Sequence, residues 1–277
     1  MKNTQHLIAL DLDGTLLTDS KTISAETKHT IQQAKAAGHI VVIATGRPHR
    51  ASINYYDELA LDTPMVNFNG ALIHHPKDHR WDALHSPLPV RTAHKIIQTC
   101  YDLGVKNILA EIKDHVYLDR HDQELMEIFH AAEYDSPIQI GSLKTELDED
   151  PTSLLIHPHE EQIRALRNEL DESHASLIEH RKWGAPWHVI EIVRAGLNKA
   201  VGLEKIAHYY HIPKENTIAF GDEDNDLEMI EYAGVGVAME NGIDELKHLA
   251  KHVTHSNEQN GISDFLQDYL QLKPKAI

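Results

Sequence analysis

The feature that most constrains this chain is Ile8-Ala9-Leu10-Asp11-Leu12-Asp13-Gly14-Thr15-Leu16-Leu17, an apolar run that ends in two aspartates one residue apart. A run of this kind reads as a strand buried on both faces, as in a parallel sheet. A glycine follows at once and marks a tight turn. Burying carboxylates is costly unless a cation or hydrogen-bond donors compensate them. The pattern is hard to explain as structure alone, and it puts chemistry at the C-terminal end of the first strand.

Strand and helix signals alternate on from there. A helix is expected from Ala25 to Ala37, capped by Ser24 and stopped by Gly38. His39 to Ala44 is a second short apolar run and ends in Thr45-Gly46-Arg47-Pro48. A helix from Arg50 to Leu59 leads to Met65-Val66-Asn67-Phe68-Asn69-Gly70. This alternation indicates βαβ units and a parallel sheet.

The middle of the chain reads as an α+β insertion. It holds a helix from Val90 to Leu103, a hairpin of Asn107 to Ile112 and His115 to Leu118 turned at Lys113-Asp114, and a helix from Gln123 to Ala132. A strand at Ser153 to Ile156, a helix from Glu160 to Glu172, and strands Ala175 to Glu179 and Trp187 to Val193 follow, with Glu146 to Asp150 read as a solvated loop. The alternating pattern then resumes. Asn198 caps a helix to about Tyr210, and the strand Thr217 to Phe220 ends in Gly221-Asp222-Glu223-Asp224-Asn225-Asp226. A short helix, a strand from Gly234 to Ala238 and an amphipathic helix near Ile262 to Leu270 close the sequence. The fold class is therefore α/β: a Rossmann-like parallel-sheet core of residues 1–84 and 192–277, with an inserted α+β cap domain at 85–191.

Charge narrows the partners. With 26 Lys and Arg against 43 Asp and Glu, the formal net charge is −17, which opposes nucleic acid or an anionic membrane as partner. The single cysteine, Cys100, rules out an intramolecular disulfide framework and is read as a core residue rather than a nucleophile. No signal segment is recognisable, so the cytoplasm is the expected compartment. The 22 histidines are scattered and read mostly as surface residues rather than a zinc site.

Three buried-type strands thus end in polar clusters: Asp11 and Asp13; Thr45, Gly46 and Arg47; Asp222, Asn225 and Asp226. In open α/β sheets, ligands bind beyond the carboxyl ends of the strands. If these strands are neighbours, four carboxylates, a hydroxyl and an amide converge in one crevice. Clustered carboxylates call for a hard cation, and oxygen-only ligation suits Mg²⁺. Magnesium with a carboxylate nucleophile suggests phosphoryl transfer through an aspartyl-phosphate, with one aspartate attacking phosphorus and the other handling protons. Lys199 is the leading cation to offset phosphoryl charge.

The chain resembles the haloacid dehalogenase superfamily of phosphatases, most closely its Cof-type branch with a large α/β cap. The resemblance rests on Asp11-Leu12-Asp13-Gly14-Thr15, Thr45-Gly46-Arg47, Lys199 and Gly221-Asp222-Glu223-Asp224-Asn225-Asp226, in that order. Phe68-Asn69-Gly70-Ala71, Ala238-Met239-Glu240-Asn241, Ser256-Asn257 and Gly261-Ile262 match the branch. It implies that Asp11 is the nucleophile and a metal ligand. Asp13 would be the general acid and base and bind the metal through its carbonyl; Asp222 would be the third protein ligand, with Asp226 supporting the metal from behind. Thr45, Gly46 N–H, Leu12 N–H, Lys199 and Asn225 would hold phosphoryl oxygens. Asn69 and Gly70 would lie near the leaving group. Apart from the resemblance, Arg47 and the cap residue Arg181 are candidate leaving-group contacts.

The expected activity is Mg²⁺-dependent hydrolysis of a small phosphomonoester: a sugar phosphate, a nucleotide, or a cofactor phosphate such as pyridoxal phosphate or flavin mononucleotide. The cap is expected to close over the crevice, so macromolecular substrates are not expected. The alternatives are a phosphotransferase or phosphomutase of the same superfamily, or a regulatory protein that binds a phosphometabolite. A monomer or weak homodimer is expected. Bland readings stand beside several residues. Arg47 could form only a surface ion pair, Glu223 and Asp224 could only cap a helix, and His180, Arg181, Lys182, Trp183 and Trp187 read equally as a leaving-group surface or as a loop before a strand.

Overall fold

The computed structural model describes residues 4–128, 138–183 and 188–272. The described residues fall into two compact units, one drawn from 1–47, 52–83 and 198–277, the other from 48–51 and 84–197.

The first unit is built on a five-stranded parallel sheet in the order His252–Thr254, Val235–Met239, Thr217–Gly221, Leu7–Leu10, Ile40–Ile43. A parallel bridge from Ala44 to Val66 continues it to Met65–Asn67, which pairs antiparallel with Leu72–His74. The central strands are buried along their whole length, which is why they read as continuous apolar runs rather than alternating ones. On one face Ile8, Leu10, Val41, Ile43, Ile218 and Phe220 share a core with Ile31 and Ala34 of the helix Ala25–Ala36 and with Ile262 and Leu266 of Gly261–Tyr269. Ser24 caps the first of these helices as expected, its hydroxyl accepting from Thr27 N–H at 3.1 Å.

The strand order positions the site. Leu7–Leu10 has Ile40–Ile43 on one side and Thr217–Gly221 on the other, so the order reverses at the first strand. Such a switch point leaves a crevice beyond the strand ends. Register aligns those ends: Leu10 is level with both Phe220 and Ile43, Asp11 N–H donates to Phe220 C=O at 3.3 Å, and Ala44 N–H donates to Leu10 C=O at 2.9 Å.

The second unit has a six-stranded sheet in the order Ile178–Lys182, Ile190–Arg194, Ser153–His157, Asn107–Ile112, His115–Leu118, Ile138–Ile140. All pairs are antiparallel except the last. Its main core lies between one sheet face and the helices Val90–Leu103 and Ile163–His174, and Cys100 is buried within it. Burial pushes the Cys100 thiol up to about 12, which keeps it unreactive.

Several elements differ from the sequence reading. Ile190–Arg194 is paired on both sides inside the second sheet, so residues 192–197 go with that unit and the change falls before Asn198. Pro48–Ala51 also groups there: Arg50 forms an ion pair with Glu111, and its N–H donates to Asp114 Oδ1 at 2.8 Å. The acidic stretch read as a loop begins inside a short helix, Leu143–Glu146, because Leu143 and Leu147 are buried. The last four residues of the expected Gln123–Ala132 helix, and Trp187, lie outside the described residues. No helix among the described residues is long and apolar enough to cross a membrane.

The helix Lys199–Tyr209 begins where Asn198 accepts a hydrogen bond from Val201 N–H at 3.1 Å. Asn198→Ala removes this cap and is expected to cost about 1 kcal/mol, measurable by denaturant unfolding. An unchanged midpoint would show that the cap does not anchor this helix.

Candidate active site

The site begins with the strand end at Asp11. The chain leaves the sheet there, and Gly14, at φ +74°, turns it back. A Cβ at Gly14 would lie 2.1 Å from Asp222 Oδ2, so only glycine lets this turn pass so close to the acidic loop. Asn241 Nδ2 donates to Gly14 C=O at 2.8 Å, and Asn257 Nδ2 to Leu17 C=O at 3.0 Å. These contacts give a structural role to two of the branch-matching phrases.

At the centre is Lys199, fully buried at 0% exposure. Its Nζ donates to Asp11 Oδ1 and to Asp226 Oδ1, each at 2.7 Å. Asp226 Oδ2 accepts from Asp222 N–H at 3.0 Å and Glu223 N–H at 3.2 Å, and Thr15 Oγ1 donates to Asp222 Oδ1 at 2.6 Å. Burial opposes the charge on Lys199, but Asp11 and Asp226 outweigh it and raise the ammonium above its usual range. Burial likewise drives Asp11 well up, against Lys199, with repulsion from Asp226 and Asp222 adding to the rise. Burial and then the Asp226 charge lift Asp222 to about 7, against the Thr15 hydrogen bond.

One oxygen from each of Asp11, Asp222 and Asp226 lies within 4.8 Å of the others. Both oxygens of Asp226 are already hydrogen-bonded, whereas Asp11 and Asp222 each keep Oδ2 without a donor among the described residues. The donor set is hard oxygen, and crowded carboxylates of raised pKa are what a divalent cation relieves; the residues fit Mg²⁺.

The cluster of three does not include Asp13, whose carboxylate is held by Arg47 and Lys21. Arg47 Nε donates to its Oδ2 and Nη2 to its Oδ1, both at 2.6 Å, and Lys21 Nζ donates to Oδ1 at 2.7 Å. Burial acts to raise its pKa, but the hydrogen bonds and charge of Arg47, then those of Lys21, prevail and hold it down at about 2. Arg47 is therefore an ion-pair partner of Asp13. Its guanidinium also lies over the Tyr55 ring at 5.5 Å, and Tyr55 OH donates to Lys21 C=O at 3.1 Å. Lys21 carried no signal in the sequence beyond a polar turn after a strand.

The remaining expected residues divide between the two units. Thr45 is buried, and its Oγ1 accepts from Arg47 N–H at 3.1 Å. Leu12 is buried and its carbonyl accepts from Leu17 N–H at 2.8 Å. Asn225 Nδ2 donates to Asn69 Oδ1 at 3.1 Å, Gly46 lies against the Asn69 amide, and Gly70 lies against the Asn198 backbone. Glu223 accepts from Asp224 N–H at 3.3 Å, the local capping role expected of it. Arg181 belongs to the second unit, opposite Glu191 across two antiparallel strands. Its neighbours are committed locally, His180 to Asp171 at 2.8 Å and Trp183 Nε1 to Glu191 Oε2 at 3.3 Å.

Carboxylates and a buried lysine thus meet at the switch point of an open α/β sheet, where ligands bind. A family model for haloacid dehalogenase-like hydrolases matches residues 8–266, and the chain belongs to that family. It is 51% identical to 5-amino-6-(5-phospho-D-ribitylamino)uracil phosphatase YitU of Bacillus subtilis, over 98% of this chain and 100% of that one. It is 30% identical to pyridoxal phosphate phosphatase YbhA of Escherichia coli, over 96% and 99% of the two chains. Among solved structures, one from Thermotoga maritima superposes with a TM-score of 0.82 at 28% identity, covering 96% of this chain and 97% of the other.

The raised Asp222 value has a definite sign. Between the usual 3.8 and about 7 the folded protein holds a proton that the unfolded chain has lost, so this group's contribution to metal-free stability falls as pH rises through that window. A cation must displace that proton. Mg²⁺ affinity is therefore expected to increase with pH up to about 7, by as much as roughly tenfold per unit for one displaced proton. Titration calorimetry in buffers of different ionisation enthalpy checks this, and binding without proton release would contradict it.

Proposed function

We propose that this protein is a Mg²⁺-dependent phosphatase of small phosphomonoesters that works through an aspartyl-phosphate on Asp11. Its preferred substrate is proposed to be a phosphorylated ribitylaminouracil of the kind named for the 51% identical relative. The observation that carries the reading is Asp11 itself. Lys199 holds its Oδ1 and leaves Oδ2 for attack, at the end of the central strand.

Mg²⁺ would be held by the Asp11 and Asp222 carboxylates and the Asp13 carbonyl, and it would supply positive charge to the transferring phosphoryl group. Asp226 holds Lys199 and the Asp222 and Glu223 amides, so it fixes the frame without being needed as a ligand. Lys199, Thr45, Asn225 and the Leu12 and Gly46 N–H groups receive the phosphoryl oxygens.

In the first half-reaction an Asp11 Oδ2 lone pair forms the bond to phosphorus, the ester P–O bond breaks, and the leaving oxygen takes a proton from Asp13. In the second, water gives its proton to Asp13 and its oxygen bonds phosphorus. The Asp11–phosphorus bond breaks, and inorganic phosphate and the Asp11 carboxylate are regenerated. Asp13 ends the cycle protonated as it began. The ion pair with Arg47 and Lys21 favours its anionic form, so it suits the base role as it stands and must open for the acid role.

Asp11→Asn is expected to lower phosphate release on the order of 10⁴-fold or more, the scale seen when a nucleophile is removed, in a protein that still folds because Asp226 keeps Lys199 paired, though at a lower unfolding temperature. Activity near wild type would contradict the covalent role. Comparing kcat/KM across 5-amino-6-(5-phospho-D-ribitylamino)uracil, pyridoxal phosphate and sugar phosphates tests the substrate. Preference for the first is expected, and preference for another would overturn that assignment alone.

A further inference from the structure

The turn Phe68–Gly70 has three successive residues with positive φ: Phe68 at 51°, Asn69 at 51° and Gly70 at 98°. A buried phenylalanine in that region is strained, and such strain persists only where surrounding contacts determine it. Those contacts lead to three arms of the site. Phe68 N–H donates to Arg47 C=O at 3.3 Å, and Asn69 N–H to Thr45 C=O at 3.2 Å. A Cβ on Gly46 would lie 3.2 Å from both the Oδ1 and the Nδ2 of Asn69, so the side-chain amide rests against the Gly46 backbone. Asn69 Oδ1 accepts from Asn225 Nδ2 at 3.1 Å. A Cβ on Gly70 would lie 2.4 Å from the carbonyl of Asn198, which caps the Lys199 helix.

We infer that Asn69 is a positioning residue for phosphate binding rather than a leaving-group contact: it sets the distance between the Thr45-Gly46 arm and the Asn225 amide. The chemistry of asparagine suits this. It tolerates the left-handed backbone at φ 51°, ψ 34° better than other side chains, and its short amide supplies the oxygen that fixes Asn225. Asn69 is only 5% exposed, and its oxygen is engaged by Asn225 rather than open to a ligand. The inference rests on the proposed phosphatase reading for the use made of the phosphate site.

The test is Asn69→Gly, which keeps the left-handed turn and removes the amide, with inorganic phosphate as probe. The variant is expected to bind phosphate about tenfold more weakly and to raise KM by a similar factor for every phosphomonoester, whatever its leaving group; this is the scale of one lost hydrogen bond to a charged ligand. Asn225→Ala alone should match it, and adding Asn225→Ala to Asn69→Gly should change little further. A loss that varies with the leaving group while phosphate affinity is kept would overturn the inference, as would fully multiplicative effects of the two substitutions. A purely structural role would lower the unfolding temperature or the active fraction without moving phosphate affinity, and would also overturn it. A wild type that binds phosphate but hydrolyses no ester would defeat the phosphatase reading, while the phosphate comparison still decides the role of Asn69. A wild type that binds no phosphate would overturn both.

Discussion

The structure of the site depends on one buried cation shared by two carboxylates. Lys199 lies 188 positions from Asp11 and 27 from Asp226, yet its ammonium is 2.7 Å from both. Removing three charges from water is expensive, and a buried pair is strongly destabilising once one partner is lost. The arrangement therefore holds only while the sheet register keeps the first strand level with Thr217–Gly221, and while Asn198 starts the lysine helix at the right residue. Packing, capping and the chemical groups are one system here.

A division of environments follows. Asp11 and Asp222, crowded among other carboxylates and buried, are pushed up, whereas Asp13, turned toward Arg47 and Lys21, is pushed down to about 2. Environments that push neighbouring carboxyls apart are how a site assigns distinct roles to one kind of side chain. The first two read as a place for a cation and a nucleophile. The third is set apart by its ion pairs with Arg47 and Lys21.

Much of this was legible in the sequence, for a physical reason. Strands buried on both faces are recognisable as apolar runs, and the polar residues after Leu10, Ile43 and Gly221 fall at their carboxyl ends, where a parallel sheet brings its ligands. What was not legible depended on contacts distant in sequence. Nothing local marks Lys21 as the second partner of Asp13, and nothing shows that Asn69 reaches Asn225, 156 positions away. Nor does the spacing of Asp11 and Asp13 show that one carboxylate pairs with Lys199 and the other with Arg47 and Lys21. The boundary expected at 191/192 falls inside a strand that was itself read with the insertion; its pairing with Leu154 to Ile156 and Ile178 to Lys182 holds the rest of it in that unit.

The central claim, that Asp11 receives the phosphoryl group, is tested most directly by acid quench during turnover followed by peptide mass spectrometry. Asp13→Asn with p-nitrophenyl phosphate is the pair to use: this leaving group departs without a proton, so the variant can form the intermediate but lacks the base for the second half-reaction, and the covalent intermediate should accumulate. The account predicts one phosphoryl group on the peptide carrying Asp11, absent when Asp11 is also changed to Asn. Turnover with no phosphoryl group on that peptide, or with the group on another residue, would contradict it.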